Sequence, residues 1–230
     1  MTNLEVMQTA LRRVGLNVGS STFKSGARTY LNMVGKDIQS REKWNWMFKA
    51  STFDTVDGTQ AYSLASDAIT PLSFRNTTQN HVIIMMSSQD LDAADPDHSI
   101  SGDPTWAILD GVDSSGYTQI ALYPKPDSVD TIAYRYYSLV PDFVESNDSD
   151  SLDGYYSPIV QPALVYGVAS LYKEEKGDDQ GAVADRQEME RVLAVASRQN
   201  ANAQGNRIYR MRRSDEVGHF GFSPEEGTLT

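Results

Sequence analysis

The sequence predicts an α+β chain. A helical bundle of two N-terminal and two C-terminal helices carries an inserted, mostly antiparallel β-unit and an extended C-terminal tail. Two changes of periodicity and one aromatic joint predict it. Apolar residues recur every three to four positions in the first 45 residues, alternate with polar ones through the middle third, and return to helical spacing after residue 155. The joint is Arg41-Glu42-Lys43-Trp44-Asn45-Trp46-Met47-Phe48-Lys49, where a helical pattern runs into large aromatic side chains just before strands begin. Each of those rings can bury roughly 150–250 Å². The expected organisation is residues 1–50 with 155–198 as the bundle, 51–154 as the β-rich insertion, and 199–230 as the tail.

Thr2-Asn3-Leu4-Glu5 has the form of a capping box, with Thr2 at N-cap and Glu5 at N3. Leu4, Met7, Leu11 and Val14 then repeat at helical spacing, and Gly15 supplies the stop. After a linker from Leu16 to Ser21, Ala27, Tyr30, Leu31, Val34 and Ile38 line one face of a second helix running toward Trp44. Two such helices on a short loop are expected to pack as a hairpin.

From Ser51 the period becomes two. Thr52–Val56 and Gln60–Leu64 flank Asp57-Gly58, which reads as a β-hairpin because Asp-Gly readily takes the positive φ of the turn. Ile69–Asn80 is a loop, and His81–Met86 is a short apolar run that fits a buried strand. Gln89–Asp103, rich in Asp, Ser and Gly, is a second loop. Thr105–Asp110, Tyr117–Tyr123 and Thr131–Tyr137 are further strands, separated by Gly111–Gly116 and by Pro124-Lys125-Pro126-Asp127. An acidic loop, Glu145–Gly154, closes the β-unit.

Helical spacing then returns. Ser157 can cap, Pro158 fits the first helical position, and Pro162 must lie in the first turn or bend the helix. Val160, Leu164, Val168 and Leu171 form the stripe, beside the small residues Ala163, Gly167 and Ser170. Gly177-Asp178-Asp179 breaks this helix and starts another, with Val183, Met189, Val192, Leu193 and Ala196 inside. From Gln199 the pattern fails. There is no internal repeat.

Lys and Arg number 20 against 31 Asp and Glu, a net charge of −11, which argues against a general duplex-DNA binder that gains affinity by neutralising phosphates. An acidic surface suits solubility, and also a wall past which DNA slides. With no cysteine, disulfides, thiolate metal sites and cysteine nucleophiles are excluded. No signal peptide is read at the start, and no apolar run reaches the roughly 18 residues of a membrane span, so a soluble protein made in the cytosol is expected.

Motifs for chemistry are wanting. His81, His98 and His219 lack metal-ligand spacing. Asn147–Gly154 superficially resembles a calcium loop, but its third carboxylate and glycine fall one place late and the closing Glu is missing, so an acidic solvated turn is the better reading. No nucleophile elbow, phosphate-binding loop or dinucleotide fingerprint is present. Glu174 and Glu175 are adjacent on a helix and do not face each other. No cofactor and no metal are expected, and no enzyme. The exception to this blandness is Arg207-Ile208-Tyr209-Arg210-Met211-Arg212-Arg213, basic in an acidic chain, with Phe220 and Phe222 beyond it. Arg and aromatic residues are enriched at interface hot spots. Three readings stand: a nucleic-acid contact, a tail that orders on an acidic protein partner, or a disordered tail.

The ordered motifs resemble one family. They are Glu42-Lys43-Trp44-Asn45-Trp46-Met47-Phe48, then Thr52–Leu64, Gly102-Asp103-Pro104-Thr105-Trp106, and above all Ile120-Ala121-Leu122-Tyr123-Pro124-Lys125-Pro126-Asp127. Ile132–Tyr137 with Pro141, Tyr155-Tyr156 before Leu164-Val165-Tyr166-Gly167, and Gly177-Asp178 complete the order, over about residues 1–197. This resembles the head-to-tail adaptor (gatekeeper, or tail tubular A-type) proteins of short-tailed bacteriophages. The resemblance implies a non-enzymatic virion protein of the tail or neck, forming a ring of itself, commonly a dodecamer, beneath the portal protein. Such a ring extends the channel for double-stranded DNA, which passes without sequence-specific binding, and carries nozzle or fibre proteins. The resemblance also implies that the C-terminal extension reaches the portal, which makes Arg207–Arg213, Phe220 and Phe222 the expected docking residues. Rival readings are a virion-associated peptidoglycan hydrolase, and a nucleic-acid-binding module using the Arg207–Arg213 cluster.

Overall fold

The computed structural model describes residues 1–97 and 99–220, with side chains up to residue 203 apart from Ala94. The chain is mixed α+β and divides into two compact units. One is Met1–Asn45 with the chain from Phe143 onward; the other is Trp46–Asp142.

The first unit contains helices α1 (Asn3–Val14), α2 (Ser21–Arg41), α4 (Gln161–Glu175) and α5 (Asp179–Phe220). The capping box forms as expected: Glu5 N–H donates to Thr2 Oγ1 (3.1 Å), and Thr2 N–H to the Glu5 carboxylate (2.8 Å). Helix α4 starts at Gln161 rather than at Pro158, and Pro162 falls in its first turn, where no intrahelical N–H is lost. Against α4 lie α1, α2 and α5. Gly167 permits the approach of α2, since a Cβ there would stand 2.5 Å from Val34 Cγ1 and 2.9 Å from Met189 Sδ. Phe143–Gly154, expected in the β-unit, belongs to this helical unit. Asn32 exchanges two hydrogen bonds with the Phe143 backbone (3.1 and 2.8 Å), and Arg28 grips Asp148 in a fork at 3.0 and 2.7 Å. Asn3, fully buried, donates to the Asn147 carbonyl at 2.9 Å. Those polar partners are scattered through α1 and α2, which a local reading of the acidic loop does not reveal.

Tyr172 on α4 donates its hydroxyl proton to the Phe23 carbonyl at 2.6 Å and meets Tyr30 edge to face at 4.8 Å. Burial, then the Glu175 carboxylate and Tyr30, push its pKa up to about 12. A raised pKa means that the fold favours the neutral phenol. Its stabilising contribution is therefore complete below the ordinary value near 10 and is lost as pH rises through about 12. Denaturant titrations of the helical unit between pH 9 and 12 should show this fall, and Tyr172→Phe should flatten it at a cost of about 1 kcal/mol at neutral pH. An unaltered alkaline profile in the variant would assign the loss elsewhere.

The second unit is a curled seven-stranded sheet. Its strands are β1 (Phe48–Asp54), β2 (Ala61–Ser63), β3 (Ala68–Asn76), β4 (His81–Met86), β5 (Trp106–Val112), β6 (Thr118–Tyr123) and β7 (Thr131–Ser138), in the order β1-β7-β3-β4-β5-β6-β2. Every ladder is antiparallel except β4–β5. Bulges in β3 and β5 bend the sheet. Its concave side holds Leu64, Phe74, Ile83, Ala107, Ile120, Leu122, Ile132, Tyr134 and Tyr136.

Four local expectations are corrected in this unit. Residues 52–64 do not form a hairpin: β1 pairs with β7, from Phe48↔Tyr137 to Asp54↔Thr131, and β2 pairs with β6. Gly58 does take φ +73°, but the turn joins the two outer strands of the curled sheet. Those strands meet through side chains, with Phe53 stacked on Tyr62 at 5.0 Å and the Tyr62 hydroxyl donating to the Thr59 carbonyl at 2.8 Å. Of the expected loop 69–80, residues 69–76 are most of β3, whose Pro71 and two bulges disguise it, and only 77–80 form a turn. β4 is not a buried strand, since Val82 and Ile84 are 67% and 60% exposed and only Ile83 is fully buried. Within the expected loop 89–103 lies helix α3 (Ser88–Ala94), capped by Ser87, whose Leu91 packs with Ile108 and Tyr123 in a second small cluster.

Candidate functional site

The residues expected to dock on a partner lie on or beyond α5. Its buried stripe is Ala182, Asp185, Met189, Leu193, Ala196 and Asn200, at intervals of three and four. Val183, expected inside, is half exposed, and its place is taken by a charged residue. Asp185 is completely buried and joins three helices. Arg13 Nε of α1 donates to Oδ1 at 2.6 Å, and Lys173 Nζ of α4 stands 2.7 Å from Oδ2. The Arg13 guanidinium also lies over the Tyr166 ring, 4.8 Å from its centre. Neither partner is near Asp185 in sequence, so no spacing could have announced the cluster.

At the other end of the stripe, Asn200 is almost fully buried and serves three backbone or side-chain groups of residues 42–45. Its Nδ2 donates to Glu42 Oε2 and to the Lys43 carbonyl, each at 3.2 Å, and its Oδ1 accepts from Asn45 N–H at 2.9 Å. Ser197, one turn earlier, donates to the other Glu42 oxygen. Beside them Trp44, 1% exposed, donates its indole proton to the Ile38 carbonyl at 2.7 Å. The aromatic joint is thus anchored on both sides. Sequence reading placed Trp44 there but missed Asn200 and Ser197, because a polar residue on a failing helical pattern looks like solvent.

Beyond Asn200 the backbone remains helical to Phe220, where an extended tail was expected. The whole of α5 has 42 residues, about 63 Å at 1.5 Å per residue. Arg207, Ile208, Tyr209, Arg210, Met211, Arg212, Arg213 and Phe220 all lie on this helix. Phe222 lies outside the described residues. A helix holds residues 207–220 within about 21 Å, so the residues of the basic cluster share one helical segment.

The other candidates are committed elsewhere. Asp148 of the calcium-like stretch is held by Arg28, Glu174 pairs with Arg186 at 2.6 Å, and Glu175 accepts from the Tyr30 hydroxyl at 3.1 Å. His81 Nε2 lies 2.9 Å from the Pro104 carbonyl; His98 lies outside the described residues. Among the described residues, no helix is long and apolar enough to cross a membrane.

Compared with known proteins, residues 1–213 match the family model described as SU10 adaptor protein. No curated protein matches the chain.

Proposed function

The chain belongs to the SU10 adaptor protein family, a family of phage head-to-tail adaptors, and from that premise we propose that it assembles as a ring beneath the portal protein. It is a bacteriophage structural adaptor and a virion component that associates with other head–tail proteins. In our reading the ring is a dodecamer in the neck, extends the channel through which double-stranded DNA is ejected, and carries nozzle or fibre proteins. The observation that supports it best is the reach of the family match. It continues through residue 213 and so includes the basic cluster on α5, beyond Asn200, the last buried residue on that helix whose side chain is described. A basic helical segment on an acidic protein suits capture by an acidic face of a partner. Arg207, Ile208, Tyr209, Arg210, Met211, Arg212, Arg213, Phe220 and Phe222 are the proposed portal-docking residues. The net charge of −11 further supports an acidic lumen that lets DNA pass without sticking.

The solution mass of the purified protein, alone and mixed with its portal, tests this. A monomer that becomes a ring on the portal is the expected outcome. Deleting everything after Gly205 should leave both units folded while portal binding is lost. Unchanged binding by the truncated chain would remove the docking role from α5. A full-length protein that stays monomeric with portal present would overturn the ring itself.

A further inference from the structure

Residues 42–45 are the last of the helical unit before the chain enters the β-unit at Trp46. Helix α2 has ended there: Glu42 is extended, with φ −150° and ψ 160°. The backbone of this stretch has no helix ladder or strand ladder to hold it, and a short 3-10 turn begins only at Asn45. Asn45 N–H is instead satisfied by a side chain 155 residues away, the Oδ1 of Asn200. The same amide group donates to the Lys43 carbonyl and to Glu42, which also accepts from Ser197.

We propose that Asn200, with Ser197, is a latch by which α5 holds the 42–45 joint, so that whatever orders or frays α5 beyond residue 200 tightens or loosens the entry to the β-unit.

Three features support a latch rather than plain packing. The bonds go to the joint's own backbone, at Lys43 and Asn45, so that losing Asn200 frees main chain and not merely a cavity. Among the residues of α5 whose side chains are described, Asn200 is the last buried position of the stripe, four residues after Ala196, so of those contacts it is the first released when the helix unwinds from its far end. A cleft of about 350 Å³ lined by Glu42, Lys43, Ser197, Asn200 and Ala201 adjoins the bonds, so the latch can open without repacking of the core. An amide side chain carries no titratable proton, so the coupling works through helix order. It does not depend on what, if anything, α5 binds.

Amide hydrogen exchange on the full chain tests the latch, with the α4 segment Ala163–Ser170 as the internal measure of folding. Asn200→Ala should speed exchange at residues 43–46 about ten-fold, the equivalent of one lost hydrogen bond, and leave Ala163–Ser170 as protected as before. Ending the chain after Gln204 should speed the same residues in the same direction, because Asn200 then lies in a fraying last turn. Should Asn200→Ala fold poorly, Ser197→Ala removes only the neighbouring Glu42 bond and should give a smaller rise at the same residues. Unchanged exchange at 43–46 in a folded variant would overturn the latch. So would faster exchange spread evenly over α4, which would mark Asn200 as an ordinary packing residue. If Asn200→Ala loosens the joint and the truncation does not, the coupling to the rest of α5 is overturned.

Discussion

Asp185→Ala is expected to cost the helical unit about 3 kcal/mol or more, read as a lower denaturant midpoint with an unchanged slope. Asp185 is fully buried and is the anion shared by Arg13 and Lys173. Removing it strands Lys173, which is 16% exposed and has little route to water. Arg13, 41% exposed, can swing outward, so Arg13→Ala should cost only about 1 kcal/mol. The contrast between the two is informative, because a surface ion pair would make them equal. Replacing all three charges together by apolar residues of similar volume should recover most of the loss, since the desolvation of the ions disappears with them. A mild Asp185→Ala phenotype would show that water reaches the cluster and that α5 is held by its apolar stripe alone.

Phe74→Ala should be as damaging in the other unit, at about 3–5 kcal/mol. Phe74 is 1% exposed and faces the concave side of the sheet, where it stacks on Tyr134 at 5.8 Å. It stands opposite Tyr134 on β7 and opposite Ile83 on β4, so its ring sits where three strands meet. β3 and β4 are paired only over 74–76 and 81–83, and a cavity at Phe74 therefore undermines the whole of that ladder. Amide exchange should show lost protection across β3, β4 and β7, with α1 and α4 retained. Loss confined to β4 would mean that the concave core closes over the cavity.

The strengths of the sequence reading lay where the physics is local. The capping box at Thr2 and Glu5, the stop at Gly15, the break at Gly177-Asp178 and the strands around Ile108, Ile120 and Ile132 depend on residues a few positions apart. Its failures lay where partners are distant. Thr52–Leu64 has the composition of a hairpin, yet each half bonds more strongly elsewhere, because β7 offers β1 seven paired positions and the curl of the sheet carries β2 to β6. β3 was hidden because a strand with Pro71 and two bulges loses its alternation. Among the proposed docking residues, the cationic cluster was visible as composition, but its helical backbone was not, since nothing between Asn200 and Phe220 repeats at helical spacing strongly enough to be read.

The sequence by itself determined the α+β class, the aromatic joint at Trp44, both caps of α1 and the family, because these rest on periodicity, on local cap residues, and on an order of motifs that survives without coordinates. Only the tertiary structure decided which strands pair, that Phe143–Gly154 belongs with the helices, and that Asp185 and Asn200 are interior residues of α5. A charged or amide side chain is stable inside only when donors and acceptors from remote segments converge on it. That convergence is a property of the folded chain, and no local spacing encodes it.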